Sequence, residues 1–188
     1  MRPVERREIV DFATYEDGRE ALRARVLEAK RVRRIHVGDV LTFLFENPLT
    51  VRYQVQEMMR VERIVREADI QHELDTYNEL LGRAGELGCT LLIEIDDAAE
   101  RAVKLREWYG LPEHLYLLLA DGTRVRPQVD ARQRDEERIS SVHYLRFDVR
   151  GQVPVAVGCD LPGLTVETRL NDEQRRALAA DLGPDAPR

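Results

Sequence analysis

Residues 40–45, Val-Leu-Thr-Phe-Leu-Phe, are apolar at nearly every position and stop abruptly at Glu46-Asn47-Pro48. A strand that alternates polar and apolar side chains leaves one face to water, whereas one that is apolar on both faces has to be deeply covered. The rest of the chain must supply that cover. Asn47-Pro48 reads as a helix start with a mechanism: Asn47 accepts from an orphan amide of the first turn, and Pro48 lacks the donor that would otherwise go unpaired. Upstream, Gly38-Asp39 turns residues 35–37 into the apolar strand, and residues 19–31 carry Ala21, Leu22, Val26 and Leu27 at helical spacing.

The spacing predicts a helix over 48–67 with Val51, Val55, Met58, Val61 and Val65 along one side. Winding it at about 100° per residue puts Glu62 in the middle of that side, Gln54 on it and Glu57 on its flank. A continuous helix would throw Ile70, Leu74, Tyr77 and Leu81 out of phase. The chain is therefore expected to break near Ala68-Asp69 and restart with Asp69 as cap. On the second helix Glu73 falls between Tyr77 and Leu80. Strands are expected at 89–96, 115–120, 123–129, 141–149, 153–159 and 164–170, with edge prolines at Pro127 and Pro154. Helices are expected over 97–109 and after Asn171, where Gln174 occupies the capping-box position. The pattern describes one α+β domain over 1–183, an antiparallel or mixed sheet packed against a helical hairpin and flanking helices, with a frayed tail at 184–188.

Composition narrows the function. The chain of 188 residues carries 35 acidic against 29 basic side chains, a net charge of −6 that argues against an electrostatic grip on nucleic acid or anionic lipid. The basic cluster Lys30, Arg31, Arg33 and Arg34 lies at a helix end, where cations complement the dipole. No run approaches a membrane span or a secretory core, so a cytoplasmic protein is expected. Cys89 and Cys159 stand far apart, which disfavours zinc or iron–sulfur ligation by cysteine. Phosphate-binding glycine loops, nucleophile elbows, dinucleotide fingerprints and haem motifs are all missing, as are Glu-x-x-His and His-Glu-x-x-His spacings.

What remains is the pair Glu62 and Glu73. An ionised carboxylate on an apolar helix face costs several kcal/mol unless it is compensated. Arginine would supply a buried ion pair. Alternatively, the two carboxylates and His143 would hold a divalent metal. His143 shares a strand face with Leu145, Phe147 and Val149, the usual setting of a core histidine, while Tyr144 points the other way. A shift of two residues in a helix boundary would turn either carboxylate by about 200° and expose it.

Four segments are familiar together: Phe45-Glu46-Asn47, residues 53–62 (YQVQEMMRVE), residues 73–78 (ELDTYN) and residues 135–147 (DEERISSVHYLRF). Over residues 15–149 the chain resembles an uncharacterised bacterial domain-of-unknown-function family. The resemblance implies no catalytic residue. It does imply a setting, because relatives tend to be encoded beside rubrerythrin and an iron–sulfur oxidoreductase of the heterodisulfide-reductase type. Such a protein partner and peroxide or iron-linked redox metabolism are accordingly expected. The family segments contain Gln54, Glu57, Glu62, Glu73, Tyr77, Asn78, Arg138, His143 and Tyr144, the candidate pocket. The leading expectation is a non-catalytic accessory or binding protein, and the alternative a metal-binding enzyme or sensor using Glu62, Glu73 and His143.

Overall fold

The computed structural model describes residues 1–129 and 137–183. The tail expected at 184–188 and most of the charged run beginning at Asp130 lie outside them. A single 3-10 turn (Arg6–Glu8) leads into α1 (Phe12–Arg31), whose cap Asp11 accepts from the Ala13 and Thr14 amides. Then come β1 (Arg34–Val37), β2 (Leu41–Phe45), α2 (Pro48–Glu62), α3 (Glu67–Asn78) and β3 (Glu86–Ile93). The second half holds α4 (Ala98–Glu107), the short α5 (Leu111–His114), β4 (Leu115–Leu118), β5 (Arg124–Val125), β6 (Gln128–Val129), β7 (Val142–Asp148), β8 (Ala156–Leu161), β9 (Leu164–Arg169) and α6 (Asp172–Leu182). Asn47 and Asn171 cap α2 and α6 as expected; the box of Asn171 with Gln174 is the one its spacing predicts, and Thr50 closes a second one at Asn47. No helix among the described residues is long and apolar enough to cross a membrane.

The strands form two antiparallel sheets, β1-β2-β3-β7-β6 and β5-β4-β8-β9. The expected α+β class therefore holds, with two sheets where one was expected. The strand expected at 123–129 splits around Pro127: β5 pairs with β4 in the second sheet, and β6 pairs with β7 in the first. Proline offers no amide to a ladder, which makes it the place where a strand can leave one sheet for another.

Register sorts the faces. Phe43, Leu91 and His143 are successive partners across β2, β3 and β7, as are Phe45, Cys89 and Leu145. These side chains enter the main core together with Leu115, Leu117 and Val157 of the second sheet and Leu178 of α6. The other face carries Gly88, Thr90, Tyr144 and Arg146. A second apolar cluster joins Val51, Val55 and Met59 of α2 with Ile70 and Leu74 of α3, Leu80, Leu81 and the N-terminal Val4 and Ile9. β2 is buried along its whole length, as its two apolar faces require.

A buried ion pair ties these layers. Arg33 Nε and Nη2 donate to the Asp181 carboxylate at 2.7 and 2.9 Å, and Nη1 donates to the Ala29 carbonyl at 3.0 Å. Burial pushes the Asp181 carboxyl up, opposed by hydrogen bonds from Arg33 and Asn47. Such pairs are costly to break one-sidedly, since the survivor is a stranded charge. Arg33→Met is expected to lose about 3–5 kcal/mol in urea denaturation, while Arg33→Met combined with Asp181→Leu recovers most of it.

Candidate functional site

Between α3 and the first sheet lies a cleft of about 900 Å³. One wall is a stripe of α3 and the turn that follows it: His72, Glu73, Thr76, Tyr77, Leu80 and, further on, Arg83. The spacing of three and four puts them on one side of the chain as it winds. The opposite wall comes from β6 and β7, where Tyr144 and Arg146 share a face at period two, beside Gln128 and Val129. Gly88 lets the walls close on one another, because a Cβ there would overlap the Leu80 carbonyl oxygen. Gly88→Ala is therefore expected to cost on the order of 1–3 kcal/mol in thermal or urea unfolding through overpacking, and to pry α3 off the sheet.

Tyr77 is half-buried. Burial pushes its phenol up, and Glu73, Tyr144 and Glu62 reinforce the shift electrostatically. The phenol therefore stays protonated as a hydrogen-bond donor at neutral pH. Of the nine expected pocket residues, Glu73, Tyr77 and Tyr144 line the cleft, and Glu62 acts on the Tyr77 phenol from the surface.

The other five do different work or stand apart. Glu57 accepts from Tyr15 Oη at 2.6 Å and from Arg19 Nε and Nη2 at 2.7 and 2.9 Å, locking α1 to α2. Asn78 accepts the Val4 amide at 2.8 Å and donates to the Val4 carbonyl at 2.9 Å, holding the N-terminal segment against α3. Gln54 is half-buried on α2, and Arg138 is exposed ahead of β7. His143 is fully buried on the core face of β7, away from Tyr144 and the cleft.

Glu62 corrects the expectation that both carboxylates are buried. Val61 and Val65 are 70% and 80% exposed, and Glu62 is exposed between them. The buried line of α2 runs Val51, Val55, Gln56 and Met59, turned toward the N-terminal segment. Gln56 explains the turn, because its amide accepts the Val10 N–H at 2.7 Å and donates to the Val10 carbonyl at 3.2 Å. The N-terminal segment, through Val4 and Ile9, thus supplies cover that the helical spacing alone assigns to the other side. The helix also ends earlier than expected, at Glu62, with Arg63 in the left-handed conformation at φ 54°. Glu73 is half-buried on the cleft wall, and neither carboxylate has an arginine in ion-pair range among the described residues.

The proposed metal trio fails for the same reason. Glu62 is at the surface, Glu73 is in the cleft, and His143 is beneath the sheet. No group of three or more His, Cys, Asp or Glu side chains among the described residues is arranged to hold a metal ion. Buried carboxylates do occur elsewhere, at Asp181 and at Glu46, which accepts from Thr50 and Thr90 hydroxyls at 2.6 and 2.8 Å. Glu46 escapes sequence reasoning because it sits at the strand-to-helix corner, where neither period applies. Arg83, Gln128 and Arg146 are missed because nothing distinguishes them from other polar surface residues until β7 is seen beside α3.

The chain belongs to the family described as Protein of unknown function (DUF3501), whose model matches residues 3–182. A crystal structure of a novel protein of unknown function from Burkholderia pseudomallei is similar over 97% of this chain and 100% of that one, at 30% identity and a TM-score of 0.88. No curated protein matches.

Glu57 yields a pH test. Its carboxyl is held below the ordinary glutamate value by Arg19 foremost and by Tyr15, against the opposing effect of burial. A depressed folded-state value means its contribution is complete above the unfolded value of about 4.3 and is lost as pH falls through the folded one. Glu57→Gln is expected to lower stability at pH 7, with the gap from the parent protein narrowing below about pH 4 in denaturant titrations.

Proposed function

We propose that this protein is a non-catalytic binding protein that recognises its ligand in the cleft between α3 and β7, as an accessory in redox, peroxide or iron-linked metabolism. The single observation that carries the binding reading is the cleft itself, of about 900 Å³, lined by apolar, aromatic and charged groups together. Ligand sites are concave, mostly apolar and furnished with a few polar groups that fix orientation. Leu80 supplies apolar wall, and the phenols of Tyr77 and Tyr144 add flat, amphipathic contact surface. The upward push on Tyr77 suits a donor that orients a ligand better than a base that takes a proton from one.

The metabolic setting is supported by the resemblance carried in residues 45–47, 53–62, 73–78 and 135–147. A rubrerythrin-like or iron–sulfur oxidoreductase protein is the partner it suggests, in the cytoplasm.

Binding is tested by backbone amide NMR of the full chain against a library of small charged and aromatic fragments. Hits are expected to shift the amides of residues 72–80, 128–129 and 144–146 together and to be lost in Tyr77→Ala. Shifts scattered over other surfaces, or hits that survive Tyr77→Ala unchanged, would overturn the reading.

A further inference from the structure

The cleft is polarised along its length. At one end Glu73, Tyr77 and Tyr144 line the cleft with His72 beside them, a carboxylate among aromatic rings. At the other end are two guanidinium groups. Tyr144 stands opposite Thr90 on β3, and Arg146 stands opposite Gly88, so passing from one to the other leads toward Glu86. Arg83 is held at that place: the Glu86 amide donates to the Arg83 carbonyl at 3.0 Å, and the Arg83 amide donates to the Glu86 carboxylate at 3.1 Å. Both arginines line the cleft, and Gly82, next to Arg83, packs against Gly88, the cross-strand partner of Arg146, which places them at the same end, beyond Tyr77.

Neither guanidinium has a carboxylate in ion-pair range among the described residues. The one hydrogen bond from Arg146 is long, Nη2 to Gln128 Oε1 at 3.4 Å. Glu86 and Asp148, the acids next along β3 and β7, do not line the cleft. Glu86 holds the Arg83 amide, and Asp148 accepts the Arg150 amide at 3.1 Å. Glu79 does line the cleft, on the α3 wall.

Paired guanidiniums recognise carboxylates through parallel hydrogen bonds, and a carboxylate flanked by aromatic rings recognises an ammonium. The volume is near the upper end of the range for drug-sized ligands. We propose that the cleft takes a zwitterion of short-peptide size, its ammonium seated among Glu73, Tyr77 and Tyr144 and its carboxylate against Arg83 and Arg146. The inference rests on reading the cleft as a binding site and adds the charge and length of what it binds. A free short peptide meets the demand because it carries both charges on one small molecule; a terminus of a long protein chain offers only one of the two.

The test uses the full chain and three probes of one length: triglycine, N-acetyl-triglycine and triglycine amide, followed by amide NMR and calorimetry. Triglycine is expected to bind at least about ten-fold more tightly than either blocked form. Glu73→Gln should erase its advantage over the acetylated peptide only. Arg83→Gln with Arg146→Gln should erase its advantage over the amide only, which no general loss of folding would reproduce. Equal affinity for all three peptides, or no response to any of them, overturns the zwitterion assignment. If the fragment library still shifts the cleft amides, the binding reading survives that failure; if those amides are silent to both sets, both fall.

Discussion

The contact between Arg33 and Asp181 is the constraint on which the layering depends. Arg33 follows the end of α1 and leads into β1, and Asp181 lies in the last turn of α6, so the pair joins the start of the first sheet to the last helix. Asn47 connects it to the start of α2. Removing so much charge from water is expensive, and Asp181 shows the cost as a carboxyl pushed upward despite its partner. What the arrangement supplies is specificity of assembly: α6 has one position at which its buried acid meets a cation, and that position closes the core over Leu178.

From that frame the cleft follows by geometry. β3 is central in its sheet and buried on both faces, and at Gly88 it gives up its side chain so that the end of α3 lies directly against it. The wall carrying Glu73 and Tyr77 is thereby set opposite the outward face of β7. The main core lies on the other side of the same strands, which is why His143 and Tyr144, adjacent in sequence, have unrelated surroundings.

Much of the fold was legible in the residues. The apolar run 40–45, the Asn47-Pro48 and Asn171 caps and the alternation in β7 are local signals, each set by a bond or a period within a few residues. The placement of Glu73 with Tyr77 and Leu80 on one face was equally local, and it holds. Glu62 was misplaced because the side of α2 that is buried is decided by Gln56 and the distant Val10, an interaction invisible to helical spacing. The split of one expected strand between two sheets depended on pairings with β4 and β7, which no local pattern encodes. The basic end of the cleft was hidden for a related reason: Arg83 and Arg146 acquire meaning only from the register that aligns them.

That crossing at Pro127 also makes the two sheets mechanically continuous. Gln128 borders the cleft, whereas Arg126 grips Asp160 through both guanidinium nitrogens, at 3.0 and 2.6 Å, on the second sheet. The residue between them has a φ that its ring holds nearly fixed. With one backbone dihedral removed at that joint and the neighbouring side chain tied to Asp160, the segment bordering the cleft is anchored to the far sheet within two residues.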